Sequence, residues 1–216
     1  MNELDKLKSG FVKFRKYYYE DDPELYKQLT EKGQSPKALV IACCDSRVHP
    51  AQVMDTSPGD IFVVRNVANL VPGYVDDGKT HGTSAAIEFA VKHLKVPHII
   101  VMGHSQCGGI RALMEGEHEG KMHKFIDPWM AIMSLAREVI VREQPNASLD
   151  EKCSLCERAA IGVSLDNLMT FPFIVRAIEA KTLQLHGWYF DIEHGELYTR
   201  SEDGKFTSVI QKTGKS

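Results

Sequence analysis

The sequence has no long hydrophobic run, no internal repeat and no low-complexity tract, and each absence narrows what the chain can be. No apolar stretch approaches the roughly 20 residues that a membrane-spanning helix requires. The opening residues, Met1-Asn2-Glu3-Leu4-Asp5-Lys6, carry no signal-peptide core and are too acidic for a transit peptide, so the expected compartment is the cytoplasm. There is no excess of one charge. A formal net charge of −3 with both signs interspersed leaves no footprint for nucleic acid or an anionic membrane. Cysteine is sparse and odd in number. The five residues fall as Cys43-Cys44, Cys107 and Cys153/Cys156, and in a reducing compartment such clusters favour metal binding or catalysis over disulfides. A second Cys-x-x-Cys is missing, and Cys153-Ser154-Leu155-Cys156 lies in a helical pattern. That pair reads as two helix thiols, at least one buried. The remaining composition, 43% hydrophobic and 25% charged over 216 residues, is that of a globular domain with room for an appended arm.

The chain then reads in order. Residues 3–32 place Leu4, Leu7, Phe11, Phe14, Tyr18, Leu25 and Leu29 at near-helical spacing, with Asp22-Pro23 as a helix start. Two helices broken near residues 20–23 follow. The run Tyr17-Tyr18-Tyr19 exceeds what one apolar face needs, and it suits either extra core contacts or an arm packed on a partner subunit. Residues 1–32 are therefore read as a helical dimerisation arm and residues 33–216 as the catalytic domain. Gly33-Gln34-Ser35-Pro36 turns into a first strand, 38–43, and Ser57-Pro58-Gly59-Asp60 turns into a second, 61–66. Between them Pro50 opens a short helix. Residues 83–94 read as a helix capped by Thr83, with Ala86, Ile87, Ala90, Val91 and Leu94 facing inward. A third strand covers 98–103, a helix starts at Cys107, and longer helices cover 128–142 and 151–170. After a break at Phe171-Pro172 a helix runs to about 183, and a hairpin around Gly195 ends the pattern. Strands alternating with helices predict an α/β fold with a mostly parallel central β-sheet flanked by helices and an N-terminal helical arm.

Chemistry gathers where strands end. Ala38-Leu39-Val40-Ile41-Ala42 leads into Cys43-Cys44-Asp45-Ser46-Arg47, and Ile99-Ile100-Val101-Met102 leads into Gly103-His104-Ser105-Gln106-Cys107-Gly108-Gly109. Such apolar runs are buried parallel strands, and ligands bind at the carboxyl ends of those strands. Catalytic zinc keeps three protein ligands and one open position. A thiol from one strand end and His-x-x-Cys from the other supply that set: Cys43, His104 and Cys107. Cys107, at a helix N-terminus, sits where the dipole favours a thiolate. Asp45 and Arg47 supply the carboxylate that accepts a hydrogen bond from metal-bound water and the guanidinium that holds it. Cys44 competes with Cys43, but adjacent residues at a strand end point opposite ways, so only one of them faces the site.

The spacing Cys43-x-Asp45-x-Arg47, then Arg65-Asn66-Val67-Ala68-Asn69, then Gly103-His104-x-x-Cys107-Gly108-Gly109, resembles the β-class carbonic anhydrases, and in particular their plant-like subtype. The resemblance extends from about Gln34 through His186-Gly187-Trp188. It selects Cys43 over Cys44, because the family ligand lies two residues before the aspartate. It implies one Zn2+ per chain and reversible hydration of carbon dioxide to bicarbonate and a proton by attack of zinc-bound hydroxide. It also implies a homodimer with the cleft at its interface, which associates further in some members. Gln34 matches a substrate-binding glutamine. Phe62 and Val67 match apolar residues of the carbon dioxide pocket, and Gly108 joins these substrate contacts. Phe89 stands where that subtype has a tyrosine, so a hydroxyl contact is lost. His93 matches a histidine discussed as a proton shuttle but reads as a solvated helix residue. Two thiolates and a neutral imidazole cancel the charge of zinc, so the second shell has more to contribute than in a three-histidine site. One family subtype also carries a non-catalytic bicarbonate site of tryptophan, arginine and tyrosine. Here Arg65 matches the arginine, but Val40 and Phe190 replace the other two, which predicts no such site and an open zinc position with Asp45 paired to Arg47. Competing readings are hydrolysis of a related heteroallene on the same scaffold, and a thiol-redox or structural zinc protein using Cys153 and Cys156.

Overall fold

A computed structural model describes residues 2–116 and 123–210 of the chain. The chain divides into two compact units, Met1–Ser35 and Pro36–Ser216. In the first, helix α1 (Glu3–Arg15) opens with a capping box in which Asn2 and Asp5 satisfy each other's backbone amides. A wide π-type turn, Lys16–Asp21, separates it from α2 (Glu24–Lys32). The tyrosine run belongs to a ring cluster within this unit. Tyr18 lies 4.9 Å from Phe14 and 5.4 Å from Tyr26, while Tyr17 and Tyr19 are exposed.

The second unit is built on a six-stranded sheet in the order β2-β1-β3-β4-β5-β6. Strands β1 (Ala38–Cys43), β2 (Ile61–Asn66), β3 (His98–His104) and β4 (Gln184–Asp191) are parallel, and β5 (Glu196–Arg200) and β6 (Phe206–Ser208) add antiparallel. Side chains alternate across β1 and β3. Leu39, Ile41, Ile99 and Val101 enter one core, and Val40, Ala42, Ile100 and Met102 enter another. Between the strands lie α3 (Pro50–Val53), α4 (Gly82–Glu88), α5 (Gly108–Glu115), α6 (Ile126–Met130), α7 (Ser134–Glu143), α8 (Leu149–Leu168) and α9 (Pro172–Glu179). From β1 the chain continues to β2 on one side and from β3 to β4 on the other, so the connections part at the carboxyl ends of β1 and β3. That is the crevice in which α/β sheets bind ligands.

Helix α8 sets the depth of that crevice. It opens with a capping box of Ser148 and Glu151. Its buried residues, Cys153, Cys156, Glu157, Ala160, Ile161, Ser164 and Leu168, recur every three or four positions and form one stripe. Ile161 is fully buried against the sheet where Gly103 and Gly187 leave space; a Cβ at either would lie within 2.9 Å of it. The stripe also explains the Cys-x-x-Cys pair, whose spacing is that of one helix face. Burial raises Cys153 and pushes Cys156 up to about 12, so neither is a thiolate near neutral pH.

Several local expectations are corrected. The fourth helix starts at Gly82 with His81 as its cap, and Thr83 lies inside it, accepting a 3.4 Å bond from Asn66 Nδ2. It ends in a π-type turn, Phe89–His93. The helix expected over 128–142 is broken at Ala131–Met133, and the third strand of the terminal meander, β6, follows the expected hairpin. The helix expected to reach residue 183 stops at Glu179.

Candidate metal centre

Cys43 is the last residue of β1 and His104 the last of β3; Cys107 caps α5 three residues later. All three are buried, and their donor atoms lie within 4.8 Å of one another. The two sulfurs are 4.0 Å apart. Tetrahedral zinc with Zn–S near 2.3 Å brings two thiolates to about 3.8 Å, so the spacing needs almost no adjustment. The imidazole is oriented for the same purpose. His104 Nδ1 donates to the Ser105 carbonyl at 2.8 Å, which leaves the Nε2 lone pair, and Nε2 is buried without a hydrogen-bond partner among the described residues. A buried acceptor of this kind beside two buried thiols fits a metal ion, and the donor set suits zinc. Cys44, one residue on, is exposed.

The titration behaviour follows from this crowding. Cys43 is driven far below the ordinary thiol range, chiefly because the Cys107 thiol donates to it, and it also accepts from the Asp45 amide at 3.4 Å. Cys107 is driven up by the same bond and by burial. Burial works against charging His104, but Cys43, the Ser105 carbonyl and Asp45 outweigh it and the net shift is upward. A metal held by these residues would take the place of the shared proton, with both sulfurs present as thiolates.

Asp45 and Arg47 form a fork. Asp45 Oδ1 accepts from the Arg47 amide and Nε, both at 3.0 Å, and Oδ2 accepts from Nη2 at 2.7 Å. The guanidinium holds the carboxyl well below the usual carboxylate range. Arg47 is itself tethered to the Gln106 carbonyl at 3.0 Å. Arg65 donates to the carbonyls of Cys43 and Asp45 at 2.9 and 2.7 Å, so it fixes the end of β1. Val40, two residues before the β1 partner of Arg65 (Ala42), is fully buried.

The turn after β3 is tightly held. Gln106 adopts φ +57, a strained value for a residue with a Cβ. The Ser105 amide donates to Phe190 at 2.9 Å, and Ser105 Oγ receives the Ile192 amide at 2.8 Å. Glu157, from α8, accepts the Cys107 amide at 2.9 Å and the Tyr189 hydroxyl at 2.9 Å. Glu157 had no signal in the sequence beyond being a charge on the apolar stripe of a helix.

The expected substrate residues separate into two groups. Val67 and Gly108 lie by the ligands. A Cβ on Gly109 would come within 2.6 Å of Val67 Cγ1, and Trp129 Nε1 donates to the Val67 carbonyl at 2.8 Å. Val67 also lines an apolar cavity of about 670 Å³ with Cys44, Pro72, His81, Ile126 and Trp129. Phe62 and Phe89 do not join them. Their rings lie 5.9 Å apart, tilted by 32°, on a separate patch, with Phe89 stacked on the exposed His93. Phe62 is level with Leu39, four residues before Cys43, or about 13 Å back along the sheet. Gln34 is exposed in the N-terminal unit.

Fold and donor set together define an α/β protein whose buried trio, at the switch point of a mostly parallel sheet, fits a metal ion. The carbonic anhydrase family model matches residues 38–197, which contain Cys43, His104 and Cys107. The β-carbonic anhydrase 5, chloroplastic, of Arabidopsis thaliana is 46% identical over 188 residues, 87% of this chain, and the chain spans 62% of that protein's length. Among solved structures, the β-carbonic anhydrase CcaA superposes with a TM-score of 0.89 at 30% identity, covering 96% of this chain and all of that one. A tetrameric β-carbonic anhydrase of the filamentous ascomycete Sordaria macrospora gives 0.80 at 31% identity, over 92% and 97% of the two chains. The chain belongs to the β-carbonic anhydrase family.

Proposed function

We propose that this chain catalyses the reversible hydration of carbon dioxide to bicarbonate and a proton, with one zinc ion held by Cys43, His104 and Cys107. The observation that carries the reading is the buried ligand trio with an unpartnered Nε2 aimed into it. Zinc in such a site acidifies water so that a nucleophile is available near neutral pH. The protein's own groups do the rest. Asp45 is ionised throughout the working range, and Arg47 occupies three of its four acceptor positions. One lone pair of Oδ2 remains, and it would accept a hydrogen bond from the attacking water and so orient that oxygen toward substrate. Because Arg47 is tied to Gln106, Asp45 is held in the fork. Val67 gives the substrate an apolar wall, which suits a molecule that offers little for polar recognition.

Phe62 and Phe89 enter this reading from a second copy of the chain. They are too far from their own Cys43, and Phe89 is 44% exposed. The apolar face of α1, where Leu4, Leu7, Phe11 and Val12 are all exposed, is the surface offered for dimerisation, and association into tetramers is consistent with the Sordaria relative. Thiolate ligands and the exposed Cys44 suit a reducing compartment, here the cytoplasm.

The test is stopped-flow carbon dioxide hydration on the purified protein with zinc measured on the same sample. One zinc per chain with hydration is expected. Full zinc without hydration, or hydration that survives complete zinc removal, would refute the reading.

A further inference from the structure

Two of the three ligands sit on the most rigid part of the molecule. Cys43 and His104 end the central strands β1 and β3 and are held by their ladders. Cys107 alone lies off the sheet, after a strained Gln106, and as the cap of α5 its amide has no place in a strand or helix ladder. That amide is bonded to Glu157, 50 residues away in α8. Glu157 is only 4% exposed. Its stripe neighbours are Cys153, Cys156, Ala160 and Ile161, and an apolar residue would pack there without the desolvation that a carboxylate suffers. Both carboxylate oxygens are nevertheless used. Oε1 takes the Cys107 amide, and Oε2 takes the hydroxyl of Tyr189, which is 1% exposed. Arg158 lies 4.2 Å over the Tyr189 ring and keeps it in place.

We propose that Glu157 is the positioning residue of the metal centre: through its bond to the Cys107 backbone, braced by Tyr189, it places the one ligand that the sheet does not. The inference rests on the zinc reading above. Glu157 touches neither substrate nor metal. Its effect is on how well the third donor is preorganised, and partners of that kind typically contribute 10- to 100-fold to metal affinity. Ser164 and Asn167 of the same helix act alike on the neighbouring loop, bonding the Asn69 carbonyl at 3.1 Å and the Val71 carbonyl at 2.7 Å. Helix α8 thus makes polar contacts to both loops beside the ligands.

The test uses full-length protein loaded with zinc, and with cobalt in parallel. Glu157→Asp keeps the charge but is one methylene short of spanning Cys107 and Tyr189. It should weaken zinc 10- to 100-fold in chelator competition and shift the thiolate-to-cobalt absorption bands. Glu157→Gln can accept from Cys107 while donating to Tyr189, and it should restore affinity to within about threefold of the unmodified protein with the original spectrum. Unchanged affinity and spectrum in Glu157→Asp would overturn the proposal, as would a Glu157→Gln variant as weak as the aspartate. A measurement on the unmodified protein is independent of variant folding: the Cys107 amide should be among the slowest to exchange with solvent, and rapid exchange there overturns the proposal as well. If the unmodified protein binds no zinc, the zinc reading itself has failed, and the two failures are therefore distinguishable.

Discussion

Asparagine at position 45 separates what the Asp45–Arg47 fork does for the fold from what it does for the reaction. All three groups bonded to the carboxylate are donors. In Asp45→Asn the carbonyl oxygen is best placed at the Oδ1 position, where it keeps two of them, and the NH2 is then turned against Arg47 Nη2. One charge-assisted hydrogen bond is lost, which in a buried setting is worth about 1.5–3 kcal/mol. Arg47 is 45% exposed, and solvent screening reduces the expected stability loss to about 1 kcal/mol or less. The ligands are untouched, so zinc should stay. Catalysis is affected far more. The position that accepted the water hydrogen now presents a donor, and loss of such a positioned acceptor removes about 10²- to 10⁴-fold in rate, or roughly 3 to 5.5 kcal/mol of barrier. The expected result is near-normal melting, one zinc per chain and carbon dioxide hydration lower by two to four decades. Hydration within tenfold of the parent, with zinc intact, would remove Asp45 from the mechanism. Loss of zinc in this variant would show instead that the fork builds the metal site.

Cys43→Ser and His104→Ala should each abolish zinc and activity, whereas Cys44→Ser and Cys153→Ser should retain both; zinc measured by elemental analysis decides, and zinc retained in Cys43→Ser would mean that another thiol is the ligand. Ile161→Ala removes a fully buried side chain from between α8 and the glycines of β3 and β4, and it should cost about 2–5 kcal/mol in denaturant unfolding; a loss under about 1 kcal/mol would mean that α8 relaxes onto the sheet. Asp45 has its folded carboxyl held below the ordinary value of 3.8. Its contribution is therefore complete above that value and is lost as pH falls through the lower folded one, so acid unfolding of Asp45→Asn should be less steep below about pH 4 than that of the parent. Identical acid limbs would show that the fork carries no differential proton affinity.

Much of the site could be read locally. The β-branched runs of β1 and β3 announce buried parallel strands, and the residues immediately after them are the ligands, because a parallel sheet delivers its strand ends to one edge. The choice of Cys43 over Cys44 follows from alternation together with the family pattern. The Cys153/Cys156 spacing belongs to one face of α8, as its helical context suggests. What could not be read locally depends on contacts across the fold. Arg65 is a strand residue whose task, bonding the carbonyls of Cys43 and Asp45, exists only once β2 lies beside β1. Phe62 and Phe89 fit a substrate pocket by pattern, yet register puts Phe62 level with Leu39 and away from its own Cys43. The helix expected over 128–142 breaks at Ala131–Met133, where tertiary packing overrides propensity. Glu157 is the clearest case. A charged residue on an apolar helical stripe looks like an exception to periodicity until α8 packs on Gly103 and Gly187 and brings the carboxylate to the Cys107 amide. The chain's local chemistry determines which residues can ligate a metal. Only the close approach of a helix to a sheet 50 residues away determines how the third of them is held, because a buried carboxylate is tolerable only where the fold delivers donors to both its oxygens.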